Sequence, residues 1–205
     1  MENGEKLMAI RAGIFGDSSH LKDRYVSDHK ELGKLVKFLK EKGMKIVLTS
    51  GSFDLLHIGH ARYLENAKSL GDVLIVGVDS DKKIKDRKGS NRPIVHEEER
   101  LSMLAHLRSV DIITLKKDSD PKLNLLKIVR PDVLVVSKTT GHTKEKIKEM
   151  KSLCEKIAVL EPQSETSTSA KVRKLHIGGA GEIIKKISPQ IEKVLQAALT
   201  EIEKD

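Results

Sequence analysis

Two histidines three residues apart, His57 and His60, stand in the stretch Thr49-Ser50-Gly51-Ser52-Phe53-Asp54-Leu55-Leu56-His57-Ile58-Gly59-His60. An imidazole N–H can donate to a phosphoryl oxygen, and a protonated ring can offset charge that grows on it. Gly51 and Gly59 allow close backbone approach, and Gly59 removes a side chain between the two histidines. The apolar run Ile46-Val47-Leu48 precedes this stretch, and a helical pattern from Ala61 to Leu70 follows it. The stretch is therefore expected at a strand-to-helix turn, where the free N–H groups of a helix start favour an anion. Residue types, spacing and setting point together to a phosphate site that does chemistry. Two histidines alone do not make a zinc site, and no Cys/His cluster accompanies them, so no protein-held metal is expected.

Composition narrows the partners. The chain has 205 residues and a formal net charge of +8, with 33% charged, 38% apolar and 2% aromatic residues. That size supports one apolar core with appended termini. The positive charge attracts polyanionic small molecules such as nucleotides. Nucleic acid is not expected as a partner: the basic residues are scattered, and so few aromatics give no stacking platform. The single cysteine, Cys154, forms no disulfide within the chain and reads as a packing residue in a reducing compartment. No apolar run approaches the ~20 residues of a membrane span, and no apolar signal region opens the chain, so a cytoplasmic protein is expected.

The elements that must hold the motif follow from periodicity. From Ser27, Leu32, Leu35, Val36 and Leu39 repeat on one helical face, and Gly43 ends that helix. Lys45 to Ser50 reads as the first core strand. After the motif comes a helix with Tyr63, Leu64, Ala67 and Leu70 inward, then a continuous apolar strand, Val73 to Val78, suited to burial on both faces. Residues 82–93, polar and lysine-rich, are expected as a mobile active-site loop. His96 to Arg108 reads as a helix, Asp111 to Leu115 as a strand, Pro121 to Val129 as a helix and Asp132 to Val136 as a strand. Lys144 to Leu153 and Ile157 to Leu160 follow as helix and strand, and Ala170 to Ile177 as a helix after the polar turn 164–169. Alternation of this kind predicts an α/β fold, a doubly wound parallel sheet, whose ligands sit at the carboxyl ends of the strands. The parts are an N-terminal arm (1–26) that packs on the body or on a partner subunit, a main domain (27–177) and a C-terminal helical extension (178–205) suited to a homodimer contact.

The motif resembles the signature of the cytidylyltransferase-like nucleotidyltransferases. The likeness continues through Ala61 to Asp72, Val76-Gly77-Val78-Asp79-Ser80-Asp81, Lys88-Gly89, Arg92-Pro93-Ile94-Val95, Glu99-Arg100, Arg130-Pro131-Asp132 and Ser167-Thr168-Ser169. It is strongest toward adenylyltransferases that act on heptose 1-phosphate, and it covers roughly residues 27–177. The resemblance implies a Rossmann-like nucleotidyltransferase fold. It also implies a reaction in which a phosphorylated acceptor attacks the α-phosphorus of a nucleoside triphosphate and releases pyrophosphate, with Mg²⁺ bridging phosphate oxygens. Under it, His57, His60 and Lys88 are the catalytic candidates. Ser50, Gly51, Ser52, Phe53, Asp54, Gly59, Arg100, Ser167, Thr168 and Ser169 are the nucleotide-binding candidates. Asp79, Lys88 and Arg92 are candidates for the acceptor. Several have a plainer reading beside them: His57 and His60 are satisfied structural imidazoles, Asp54 caps the turn, Arg100 pairs with a carboxylate, Lys88 and Arg92 are surface cations, and Ser167 to Ser169 cap a helix.

The chain departs from its relatives after the fourth strand. Val136-Ser137-Lys138-Thr139-Thr140-Gly141-His142 stands where the heptose enzymes carry a glycine-rich acidic turn. No arginine precedes the Ser167-Thr168-Ser169 turn, as it does in the cytidylyltransferases of glycerol and choline phosphates, which favours ATP over CTP. The alternatives are a cytidylyltransferase acting on an alcohol phosphate, and a non-catalytic nucleotide-binding regulator. His57-Ile58-Gly59-His60 also spells a motif of class I aminoacyl-tRNA synthetases, but those chains are much longer and carry a Lys-Met-Ser-Lys-Ser loop that is absent here.

Overall fold

The computed structural model describes residues 19–138, 141, 143–161, 187–189 and 191. Two compact units divide the chain, Met1–Glu165 and Thr166–Asp205. In the second, the described residues are helical and include the exposed Ile187 and Ile191. The expected turn Ser167-Thr168-Ser169 and the helix from Ala170 lie outside the described residues.

The first unit is built on five parallel strands: β1 (Ile46–Gly51), β2 (Val73–Asp79), β3 (Ile112–Lys116), β4 (Val133–Ser137) and β5 (Lys156–Leu160), in the order β3-β2-β1-β4-β5. The doubly wound parallel sheet read from the alternation of elements is the fold observed. All seven residues of β2 are buried, as a continuous apolar run at the sheet centre requires. Helix α2 (His29–Glu41) buries Leu32, Leu35, Val36 and Leu39, its whole apolar stripe, with Ile46, Leu48 and Ile75 in one core layer. Its cap is Asp28, whose carboxylate accepts from the Lys30 amide at 2.7 Å, one residue beyond the expected Ser27. The opposite layer collects Val47, Val76, Val78 and Leu64, Leu101 and Leu104. Leu64 belongs to α3 (Ile58–Lys68), and Leu101 and Leu104 to α5 (Glu97–Ala105).

The outer edge of β3 is covered. Short helix α1 (Leu21–Arg24) leads into Tyr25, which bridges Ile113 in parallel, and the Val26 amide donates to Ile113 O at 2.9 Å. Buried Arg24 donates to the carbonyls of Val110 and Leu107. Residues 19–26 of the N-terminal arm thus lie on the main body and satisfy an edge that would otherwise template another strand.

One expected loop is a helix. Residues 82–93 were expected as irregular chain, yet α4 spans Asp81–Lys88. Ser80 caps it by accepting from the Lys83 amide at 3.2 Å, Glu97 accepts from the Asp81 amide at 2.7 Å, and Ile84 anchors it in the core. A single buried isoleucine among lysines gives almost no apolar periodicity, so the helix is invisible to that signal. Gly89 then turns the chain at a φ of +95° that glycine tolerates. Helix α6 (Asn124–Val129) is shorter than expected, α7 covers Lys144–Lys151, and Cys154 is half-buried, donating from Sγ to Met150 O at 3.2 Å.

Strands β1 and β2 pair along their full length, from Ile46↔Val73 to Gly51↔Val78. Strands β1 and β4 pair only at Val47↔Val133 and Leu48↔Leu134. Beyond Leu48 they part, and β4 ends in the half-buried Val136 and Ser137. This is the point where strand order reverses, and its carboxyl side is where an open α/β sheet takes a ligand. Thr49 holds the divergence: its hydroxyl donates to Val135 O at 3.0 Å and lies 2.8 Å from the Tyr63 hydroxyl of α3.

Candidate active site

The motif turn climbs from β1 through two backbones that side chains rarely adopt. Phe53 has φ +49° and Leu55 φ +51°, both in the left-handed region. Such conformations cost of order 1–3 kcal/mol each and collect where the surrounding structure needs them. Here they turn the chain so that Phe53 is buried with its ring edge-on to His60, centroids 5.6 Å apart. His57 becomes the cap of α3: its Nδ1 accepts from the Gly59 amide at 3.1 Å. The rings of His57 and His60 lie 4.0 Å apart at 32°. The two imidazoles therefore lie together at the start of α3, whose backbone carries the positive end of the helix dipole.

An accepting Nδ1 carries no proton, so the geometry assigns the proton of neutral His57 to Nε2. Through that bond the ring holds the helix start.

Two buried carboxylates organise the cations across the rim. Asp54 is 2% exposed. It accepts from the amides of Ile94 and Val95 at 3.1 Å and pairs with Arg92 at 2.7 Å. Its position fastens the 92–95 segment to the motif turn. Asp79, 1% exposed at the end of β2, pairs through Oδ1 with Lys116 and through Oδ2 with Arg87, each at 2.9 Å. Burial by itself would raise the Asp79 pKa, but Lys116 and then Arg87 hold it below the ordinary carboxylate value. Arg87 also donates to Ser52 Oγ at 2.8 Å. The Lys116 side chain reaches Asp79 across Gly77, where an added Cβ would come within 2.8 Å of Lys116 Cδ and 2.4 Å of Leu125 Cδ2.

Arg100, 1% exposed, is the framework's rivet. It donates to the carbonyls of Val95, Ser52 and Asp79 and to the Asp81 carboxylate. Of its two readings, pairing with a carboxylate is the one whose contacts are seen, and those bonds fix the ends of β1 and β2 together. Lys88 stands last in α4, exposed, with no hydrogen-bond or ion-pair partner among the described residues. Its ammonium pKa is lowered, first by partial desolvation and then by Arg87 and Arg92.

The candidates Ser50, Gly51, Ser52, Phe53, Asp54, His57, Gly59 and His60 run from the end of β1 through the motif turn into the start of α3, and Asp79, Lys88, Arg92 and Arg100 come from the segments that follow β2 and its carboxyl end. Ser167, Thr168 and Ser169 lie outside the described residues. Reading the sequence missed Arg87 and Lys116. Each sits at or next to the end of an element beside the buried Asp79, and nothing in the local sequence marks the pairing. A separate cavity of about 700 Å³ is lined by Ser80, Asp81, Lys85, His96, Glu98 and Lys117 among others. Its lining includes neither His57 nor His60. Among the described residues no group of three or more His, Cys, Asp or Glu could hold a metal ion, and no helix is long and apolar enough to cross a membrane.

Comparison with known proteins agrees with this geometry. The cytidylyltransferase-like family profile matches residues 48–192, and the chain belongs to that family. It is 45% identical over 113 residues to the bifunctional protein HldE of Nitratiruptor sp., covering 55% of this chain and 24% of that protein. It is 40% identical over 146 residues to the bifunctional protein HldE of Campylobacter jejuni subsp. doylei, covering 71% of this chain and 31% of that one. The chain thus spans about a quarter to a third of the length of these curated relatives. The crystal structure of the lipopolysaccharide core biosynthesis protein from Thermoplasma volcanium superposes with a TM-score of 0.51 at 28% identity, covering 61% of this chain and all of that one.

Proposed function

We propose that the protein is a nucleotidyltransferase that transfers AMP from ATP to a small phosphorylated acceptor such as a sugar 1-phosphate and releases pyrophosphate. The observation that carries the reading is the His57–His60 pair, rings 4.0 Å apart at the start of α3, on the side of β1 where it parts from β4. An acceptor phosphate oxygen attacks the α-phosphorus, a new P–O bond forms, and the bond to the β-phosphate oxygen breaks. The chain supplies no covalent intermediate. It positions the reactants and stabilises charge on the α-phosphoryl oxygens. The His57 and His60 rings stand side by side to meet the α-phosphoryl group, and the Lys88 ammonium follows the charge as it moves. The preference for AMP rests on the likeness to the HldE proteins and on the missing arginine before Ser167.

Asp54 and Asp79 spend their carboxylate oxygens on cations and amides, so neither is offered to a divalent ion. Mg²⁺ therefore enters with the triphosphate, as part of the substrate.

The test is pyrophosphate release from ATP and from CTP across a panel of sugar 1-phosphates and alcohol phosphates, with the product identified by mass. Turnover with ATP and a sugar 1-phosphate supports the reading. Turnover with CTP and an alcohol phosphate replaces it with the cytidylyl version, and tight nucleotide binding with no turnover replaces it with a regulator.

A further inference from the structure

We propose that Arg87, and not Arg92, receives the phosphoryl group of the acceptor, and that Asp79 positions Arg87 rather than touching the acceptor. The inference rests on the nucleotidyl-transfer reading above.

The two arginines are anchored alike but exposed differently. Arg92 pairs with Asp54, its side chain is 12% exposed, and its Nε is buried away from solvent. The Arg87 side chain is 53% exposed. Its Nη2 spends both hydrogens, one on Ser52 Oγ at 2.8 Å and one on Asp79 Oδ2 at 2.9 Å. The other N–H groups of the five on a guanidinium have no partner among the described residues. Arg87 is thus held along one edge and open along the other, the arrangement that lets a guanidinium fork grip a phosphoryl group. Its anchor Ser52 belongs to the turn that presents His57 and His60, so the grip is tied to the chemistry.

Asp79 has both oxygens on cations and is 1% exposed, so it reaches a ligand only through Arg87. Arg87, Lys88 and Arg92 face two carboxylates, and the surplus positive charge is what a phosphoryl dianion would neutralise.

The side of the sheet separates acceptor from nucleotide. Arg87 comes from the helix after β2, whereas the crevice lies across β1, between β1 and β4. Attack roughly in line with the leaving group places the acceptor and the pyrophosphate on opposite sides of the α-phosphorus. A triphosphate seated in the crevice leaves the β2 side for the acceptor.

Inorganic phosphate is the probe. It is titrated calorimetrically into the full chain saturated with α,β-methylene-ATP, for the wild type and for Arg87→Gln and Arg87→Lys. Arg87→Gln is expected to weaken phosphate binding and raise the acceptor KM by about 10- to 100-fold, as loss of charge-assisted bonds implies. The ATP KM stays unchanged, and Arg87→Lys recovers part of the loss. Asp79→Asn raises the acceptor KM in the same direction. The inference is overturned if phosphate does not bind the wild type, if Arg87→Gln binds it as the wild type does, or if the loss falls on the ATP KM instead. If phosphate binding behaves as expected but no acceptor releases pyrophosphate from any nucleotide, the nucleotidyl-transfer reading fails while the phosphate site at Arg87 stands.

Discussion

The Gly59 amide donates to His57 Nδ1 at 3.1 Å, so the imidazole that caps α3 is also the one set 4.0 Å from the His60 ring. The two roles separate by substitution. Asparagine is among the best capping residues but lacks the imidazole donor. His57→Asn is expected to keep the wild-type melting temperature and lose about 10²- to 10³-fold in kcat, the range for removing one preorganised donor. His57→Ala adds a loss of about 1 kcal/mol in stability from the missing cap. Thermal melts and steady-state kinetics on the pair decide it. An Asn variant as active as the wild type removes His57 from the chemistry.

Asp54 is the rim's structural acid. Removing one member of a buried ion pair leaves the other unpaired, at a cost of about 3–5 kcal/mol. Asp54→Ala is expected to lose stability in that range by urea unfolding. Amide exchange should speed up most at Ile94 and Val95, the two N–H groups that Asp54 accepts. Asp54→Asn, which keeps an accepting oxygen, should lose less. Exchange unchanged at Ile94 and Val95 would show that the segment is held by something else.

Much of this was legible before any coordinates. The strand count, the strand-to-helix setting of the motif and the buried faces of α2 and α3 follow from apolar spacing, because that spacing is set by what the core must receive. The turn at Phe53 and Leu55 was not legible: neither residue favours the left-handed region, and only the packing of Phe53 on His60 explains it. Helix α4 was hidden because Ile84 is its one buried apolar side chain. Arg87 and Lys116 looked like two more lysine-rich surface positions, since an ion pair made across strands leaves no mark in local sequence. The Arg100 contacts, three of them to backbone carbonyls, are equally silent.

Asp79 gives the protein an acid limb. Its folded pKa is depressed below the unfolded value of about 3.9, so its contribution to stability is present above about pH 4 and lost as pH falls through the folded value. Asp79→Asn is expected to be less stable at pH 7 and to lose less on acidification. Urea midpoints from pH 7 down to pH 3 measure both. Parallel curves for the two proteins would refute the linkage.

Lys88 gives the enzyme an alkaline limb. Its pKa is lowered by desolvation and by the neighbouring Arg87 and Arg92, so kcat/KM is expected to fall at a pH below the ordinary lysine value of about 10.4. Arg87→Gln removes one like charge and should move that limb upward. A limb that stays in place separates Arg87 from the Lys88 ammonium.

Gly77 keeps the path of Lys116 clear. A methyl group there would meet Leu125 at 2.4 Å and Lys116 at 2.8 Å. Gly77→Ala is expected to lose about 1–3 kcal/mol, as overpacked cores do. It should also raise the acceptor KM, because Lys116 no longer braces Asp79. A variant that loses stability with an unchanged acceptor KM would cut Lys116 out of the relay.

The central claim is transfer of the α-phosphoryl group under the His57–His60 pair. ATP labelled in parallel at the α- and γ-phosphorus, incubated with Mg²⁺ and a panel of sugar 1-phosphates, tests it directly. The α label is expected to appear in the acceptor product and the γ label in pyrophosphate, with both transfers abolished in His60→Ala while ATP still binds. A γ label on the acceptor, or transfer that survives in His60→Ala, would contradict it.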